Sequence, residues 1–166
     1  TEDMAALFSA DLSQGRPLSL APHSGFGRLA FGDSVMVVDT GAAQDCKSTL
    51  GFEFSHGGQR IIISCSASEA GRKDWCDAMR RSAAHSTWDM GEASQGPEPR
   101  VTAEMISSPQ GALLKAVHET ARRHHRATHQ RNMFMAASGL DLRGEEQVVA
   151  PHGNGELLRF HLHPDV

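Results

Sequence analysis

Two short runs, Thr49-Leu50-Gly51-Phe52-Glu53-Phe54 and Arg60-Ile61-Ile62-Ile63-Ser64-Cys65, flank Ser55-His56-Gly57-Gly58-Gln59. In the first run Leu50, Phe52 and Phe54 alternate with small or polar residues, the period of two that belongs to a half-buried strand. In the second, three consecutive isoleucines suit a strand covered on both faces. Gly57-Gly58 supplies the positive φ values of a tight reversal, so the two runs are expected to pair antiparallel at the centre of a sheet.

Similar signals recur along the chain. Phe26 to Phe31 and Ser34 to Asp39 flank Gly32-Asp33 as a second hairpin. Val101 to Ile106 and Ala112 to His118 are expected to pair across Ser107 to Gly111, while Met133 to Ala137, Leu140 to Val149 and Leu157 to His163 read as further strands. Residues 1–24 form an irregular lead-in, with one edge strand at Leu18 to Leu20. A short helix is expected over Asp74 to Arg81 and a brief strand over Ala83 to Trp88. Gly111 to Ala137 is ambiguous, because Leu113, Leu114, Val117 and Ala121 fall at helical spacing. Strands separated by turn signals roughly every 10 to 15 residues point to an all-β fold, an antiparallel β-sandwich.

Composition narrows the partners. The 166 residues carry 39% hydrophobic residues, enough for one domain's core, and a net charge of −4 leaves no basic footprint for nucleic acid. No apolar run reaches the roughly 20 residues of a membrane-spanning helix. Cys46, Cys65 and Cys76 are odd in number and lack metal-knuckle spacing, so they read as free thiols. The chain starts at Thr1 without a signal-peptide pattern and ends at Val166 directly after a strand, and it is read as a piece of a longer protein.

Ten histidines invite an acid–base or metal reading. His161 and His163 flank Leu162, so both imidazoles are expected on one strand face, either as paired contacts or as a polar exterior with Phe160 and Leu162 turned inward. His85 lies between two alanines and Ser86-Thr87, a small-residue setting that permits close approach of a sugar or backbone. Arg122-Arg123-His124-His125-Arg126 is a positive run that suits an acidic polymer or a solvated loop. Cys46 beside Lys47 has no evident base partner. Glu53 and Glu145-Glu146 are expected on solvent faces or turns.

Taken in order, Gly25-Phe26-Gly27-Arg28-Leu29, Ser48 to Phe54, Ala84-His85-Ser86-Thr87, Leu142-Arg143-Gly144-Glu145-Glu146 and Arg159-Phe160-His161-Leu162-His163-Pro164 resemble the C-terminal β-sandwich region of bacterial heparinase II/III-like proteins, over residues 25–166. The resemblance implies a supersandwich-like module that follows an N-terminal α/α toroid in a longer polypeptide and is cut short at its C-terminus here. It implies a polysaccharide lyase, with a glycosaminoglycan or other uronate-containing polysaccharide as partner and the periplasm as location, the cytoplasm being the alternative. The reaction is β-elimination: a base takes the C5 proton and an acid protonates the departing oxygen, a division of labour suited to His and Tyr. This chain has no Tyr and no toroid, so the isolated chain is expected to be inactive, and a non-catalytic carbohydrate-binding or structural module is the alternative.

The resemblance points to His85 as the sandwich's catalytic histidine, and with the positive run and the His161/His163 spacing it makes His118, Arg122, Arg123, His161 and His163 the expected substrate contacts. Some relatives hold a structural zinc, and the matching positions are Cys46, about Ser64, and His85. Ser is a poor zinc ligand, so the chain is expected to carry no stoichiometric cofactor. Relatives' His-Asp-Gly-Tyr run stands here as His118-Glu119-Thr120-Ala121. The resemblance makes Gly111 to Ala137 strand, loop, strand.

Overall fold

The alternation that helical spacing obscured between residues 111 and 137 is the backbone of the molecule. The structure is a computed structural model that describes residues 20–21, 23–41, 48–65, 72–89, 99–122, 125–150 and 157–166. In it β8 (Gly111–Arg122) and β9 (His125–Ala136) form a twelve-residue antiparallel hairpin. With β7 (Arg100–Ser108) and β10 (Leu142–Val149) they make a four-stranded sheet in the order β10-β9-β8-β7. Helical periodicity loses here because Ala112, Leu114, Ala116 and His118 are all buried, as are Ala127, His129, Arg131, Met133 and Met135. Every second residue faces inward, and no i, i+3, i+4 stripe does.

A second antiparallel sheet contains β1 (Leu20–Ala21), β2 (Phe26–Phe31), β3 (Ser34–Asp39), β4 (Phe52–His56), β5 (Gln59–Ile63) and β12 (His161–Leu162), hydrogen-bonded in that order. Both glycine-containing turns form as expected, with Gly32, Gly57 and Gly58 all at positive φ. The central hairpin starts later than its pattern suggested, because Thr49 and Leu50 are in a turn and pairing begins at Phe52. Along the chain between β5 and β7 come α1 (Lys73–Met79), a 3-10 turn at Ser82–Ala84 and β6 (Trp88–Asp89), which pairs with β11 (Leu157–Leu158) as a two-residue ribbon. The strand expected over Ala83 to Trp88 is thus a 3-10 turn that reaches extended pairing only at Trp88. Its path is set by Ser82, Ser86 and Thr87 bonding to Asp89 and to the Ile63 and Thr49 carbonyls.

Leu29, Met36, Val38 and Phe52 of the six-stranded sheet pack on Ala112, Leu114, Met133 and Met135 of the four-stranded one, so this is a β-sandwich. The turn after β9 closes one end of it. Gly139, at φ +73°, lies so close to the Phe31 carbonyl that no Cβ fits, and Ser34 Oγ donates to the Gly139 carbonyl at 2.6 Å. Leu114 sits at the middle of the interface with no exposed surface. Leu114→Ala should therefore cost about 2–5 kcal/mol of unfolding free energy, read as a lower urea midpoint at unchanged slope.

Candidate functional site

The inner face of the four-stranded sheet changes character halfway along. Its register aligns Met105, Leu114, Met133 and Gly144 in one row, Ala103, Ala116, Arg131 and Glu146 in the next, and Val101, His118, His129 and Val148 in a third. The first row is core. In the second and third, alanines leave room for a guanidinium and two imidazoles, all buried.

Arg131 organises this half. Its Nε donates to Glu146 Oε1 at 2.6 Å, and its Nη1 donates to the Ser86 carbonyl at 2.9 Å and to the Leu50 carbonyl. The guanidinium carbon also lies 4.8 Å from the Phe52 ring centre and 5.9 Å from that of Phe160. Glu146 turns its other oxygen to His129 Nε2 at 2.7 Å, so one carboxylate bridges a cation and an imidazole. Trp88 packs edge-on against His129 with ring centres 6.1 Å apart. His118 Nε2, His129 Nδ1 and Arg131 Nη2 make no hydrogen bond. Burial pushes the His118 pKa down to about 4, helped by neighbouring His129, and burial also lowers that of Arg131 against the opposing pull of Glu146.

Across from Arg131, residues 82–89 are fastened by their own polar atoms. Ser86 Oγ donates to the Ile63 carbonyl at 2.7 Å and accepts from His161 N at 2.9 Å, and Thr87 Oγ1 donates to the Thr49 carbonyl at 2.7 Å. Ser82 Oγ donates to Asp89 at 2.8 Å, while Arg159 grips the other Asp89 oxygen at 2.9 and 3.0 Å. His85 is held inside this loop at 2% exposure. Burial lowers its pKa and nearby His161 adds to the fall, while the Met79 backbone and Asp39 favour its charged form. Leu50, whose carbonyl meets Arg131, has φ +57°, and among the described residues no other side-chain-bearing residue has a positive φ. Its N–H donates to the Asp39 carbonyl at 2.9 Å, which holds the left-handed turn in place.

The residues singled out in the sequence are placed unevenly. His85 and His161 come together, with His161 Nε2 donating to the Ala83 carbonyl at 3.0 Å. His118 sits on the buried Arg131 face, and His163 is half-buried near the end of the chain. Leu162 is turned outward at 60% exposure, against the alternative in which it packs inward, while Phe160 is half exposed with its ring against Phe52 and the Arg131 guanidinium. Among the described residues β12 is paired on one side only, which leaves Leu162 without a facing layer. Arg122 ends β8 at the hairpin tip; Arg123 and Cys46 lie outside the described residues.

Ser64 is occupied by hydrogen bonds, donating to the Phe52 carbonyl at 3.5 Å and accepting from Ser86 N at 3.3 Å, which does not fit a metal ligand. Among the described residues no group of three His, Cys, Asp or Glu side chains is placed to hold a metal. Glu146 is not the solvent-facing residue expected, because its pairing opposite Arg131 turns it inward. His129, Arg131 and Glu146 were missed as a unit. Counting back by twos from Met135 and Met133 reaches Arg131 and His129, which was the available signal.

Residues 13–166 match the family described as heparinase II/III-like, C-terminal. FtsZ-localized protein C of Caulobacter vibrioides (strain NA1000 / CB15N) is 29% identical over 199 aligned residues, covering 98% of this chain and 34% of that protein. The chain thus spans about a third of the length of this curated relative. No solved structure matches it.

The buried His118 gives a pH signature. Its folded pKa of about 4 lies below the ordinary 6.5, so between those values the unfolded chain binds the extra proton. Stability conferred by the neutral imidazole is complete above pH 6.5 and is lost as pH falls toward 4, by about 3 kcal/mol in total. Urea titrations from pH 7 to 4 should show this fall, and His118→Gln should flatten it.

Proposed function

Because the chain belongs to the heparinase II/III-like C-terminal family, we propose that it is the β-sandwich half of a polysaccharide-lyase-related protein, carrying and presenting an acidic, uronate-containing polysaccharide. Proton transfer during β-elimination then relies on groups from another part of the parent protein. One observation carries this reading: His85, the residue that matches the family's sandwich histidine, is sealed at 2% exposure. A general base must come within hydrogen-bond reach of the proton it removes, directly or through one water. His118 and His129 are sealed as well, and the chain has no Tyr to act as the acid. We assign contacts to the polymer to half-buried Arg159 and His163 and, from the sequence's positive run alone, to Arg122 and Arg123.

The isolated chain is expected to be retarded in gels containing heparan or alginate and to generate no unsaturated-uronate absorbance from either polymer. Absorbance that rises with wild-type chain and vanishes in His85→Ala would overturn the division of labour, and absence of retardation would overturn the presenting role.

A second reading concerns place and not chemistry. The relative that aligns with nearly all of this chain is named for its localisation with FtsZ, which supports a parent protein that localises with FtsZ too. A fluorescent fusion of the full parent protein should coincide with the FtsZ ring, and a diffuse signal would refute it.

A further inference from the structure

Where the two sheets part, between β5 and the free edge of β10, a hollow of about 240 Å³ opens to solvent. Its walls are Phe52, Ile62, Met133 and Leu142, with Phe160 at the mouth. Gly144 makes it possible: it takes the inward position between Leu142 and Glu146, where even a Cβ would come within 2.9 Å of Met133 Sδ. One polar side chain reaches the hollow, Glu146, whose carboxylate side chain is 13% exposed. We propose that this hollow is a binding subsite for one N-acetylhexosamine residue of a polysaccharide, its acetyl methyl among Ile62, Met133 and Leu142, its amide N–H on Glu146 and its ring against Phe160.

Electrostatics selects this class. Glu146 offers only acceptors, so the ligand must donate. It is already neutralised by Arg131 at 2.6 Å, and the guanidinium also lies 4.8 Å from the Phe52 ring centre, so a cation would meet positive charge behind the carboxylate. An anion would meet the carboxylate itself. A neutral group with one N–H or O–H donor and a compact apolar end remains, and an acetamide has both. Phe160 is half exposed and stands edge-on to Phe52 at 6.1 Å, which leaves a face free for the apolar side of a pyranose. Because Arg131 and His129 fix both carboxylate oxygens, the acceptor is oriented before the ligand arrives, which reduces the ordering cost of binding. The volume takes an acetamido group and part of a ring, so the rest of a chain would run outward along the exposed β12 edge.

The inference deepens the presenting role by naming a neutral sugar of the polymer, yet its probe carries no uronate, so either can fail alone. Saturation-transfer NMR of the 166-residue chain with N-acetylchitotriose should give its strongest enhancement on the acetyl methyl. Phe160→Ala and Gly144→Ala should each weaken binding tenfold or more while the thermal melt shows a folded chain. Deacetylated chitotriose and cellotriose should bind at least tenfold more weakly than the acetylated trimer. No enhancement on the acetyl methyl, equal binding of cellotriose, or unchanged affinity in both folded variants would each overturn the assignment.

Discussion

A guanidinium with no exposed surface is the constraint around which this sandwich is built. Removing an unpaired charge from water costs more than a domain of this size can spare, so Arg131 is tolerable only with its partners in place. It has Glu146 beside it on the neighbouring strand and two backbone carbonyls, of Leu50 and Ser86, from loops of the opposite layer. The flat faces of Phe52 and Phe160 cover it. Each partner comes from a different part of the chain, so this one side chain requires β10, the loop before β4, the loop before β6 and the segment before β12 to be assembled together.

That requirement explains local features that would otherwise be costs. Leu50 holds a left-handed backbone conformation, which disfavours a side-chain-bearing residue by roughly 1–2 kcal/mol. The strain aims its carbonyl at Arg131, and the charge-assisted hydrogen bond offsets it. Ala103 and Ala116 share Arg131's row, where larger residues would fill its space. His118 in the adjoining row is held neutral chiefly by burial, and neighbouring His129 adds to the fall of its pKa to about 4. An apolar half thus supplies most of the hydrophobic stabilisation, and a polar half fixes how the irregular segment 82–89 sits against the sheets.

The sequence showed the fold more plainly than the site. Hairpins at 26–39 and 52–63 were legible because Gly-Asp and Gly-Gly turns separate apolar strands, and local turn chemistry sets register there. The family resemblance corrected the helical reading of 111–137, and the match over residues 13–166 bears it out. Glu146 was legible only as half of an exposed-looking Glu145-Glu146 pair. Which of two adjacent acids faces inward depends on the register of β10 against β9, and nothing local to the pair sets that register. Ala83 to Trp88 misled for a related reason: its shape is dictated by Ser82, Ser86 and Thr87 bonding to distant backbone and Asp89, not by propensity.

The same clamp separates a sealed side from an open one. On the side facing residues 82–89, hydrogen bonds from Ser86, Thr87 and Arg159 close the layer over His85 and His129. On the side facing β12, Phe160 completes the cover over Arg131 but stays half exposed, because β12 pairs with β5 over only two residues and has no neighbour beyond among the described residues. Glu146 belongs to both sides: one oxygen serves the buried imidazole and the other the guanidinium, while the carboxylate edge reaches the hollow left by Gly144. A ligand at that edge would contact Glu146, and through it the only cation that ties both loops to the sheet among the described residues. Occupancy at the open side and order in the sealed loop therefore share one carboxylate, and a substitution at Glu146 cannot alter one without the other.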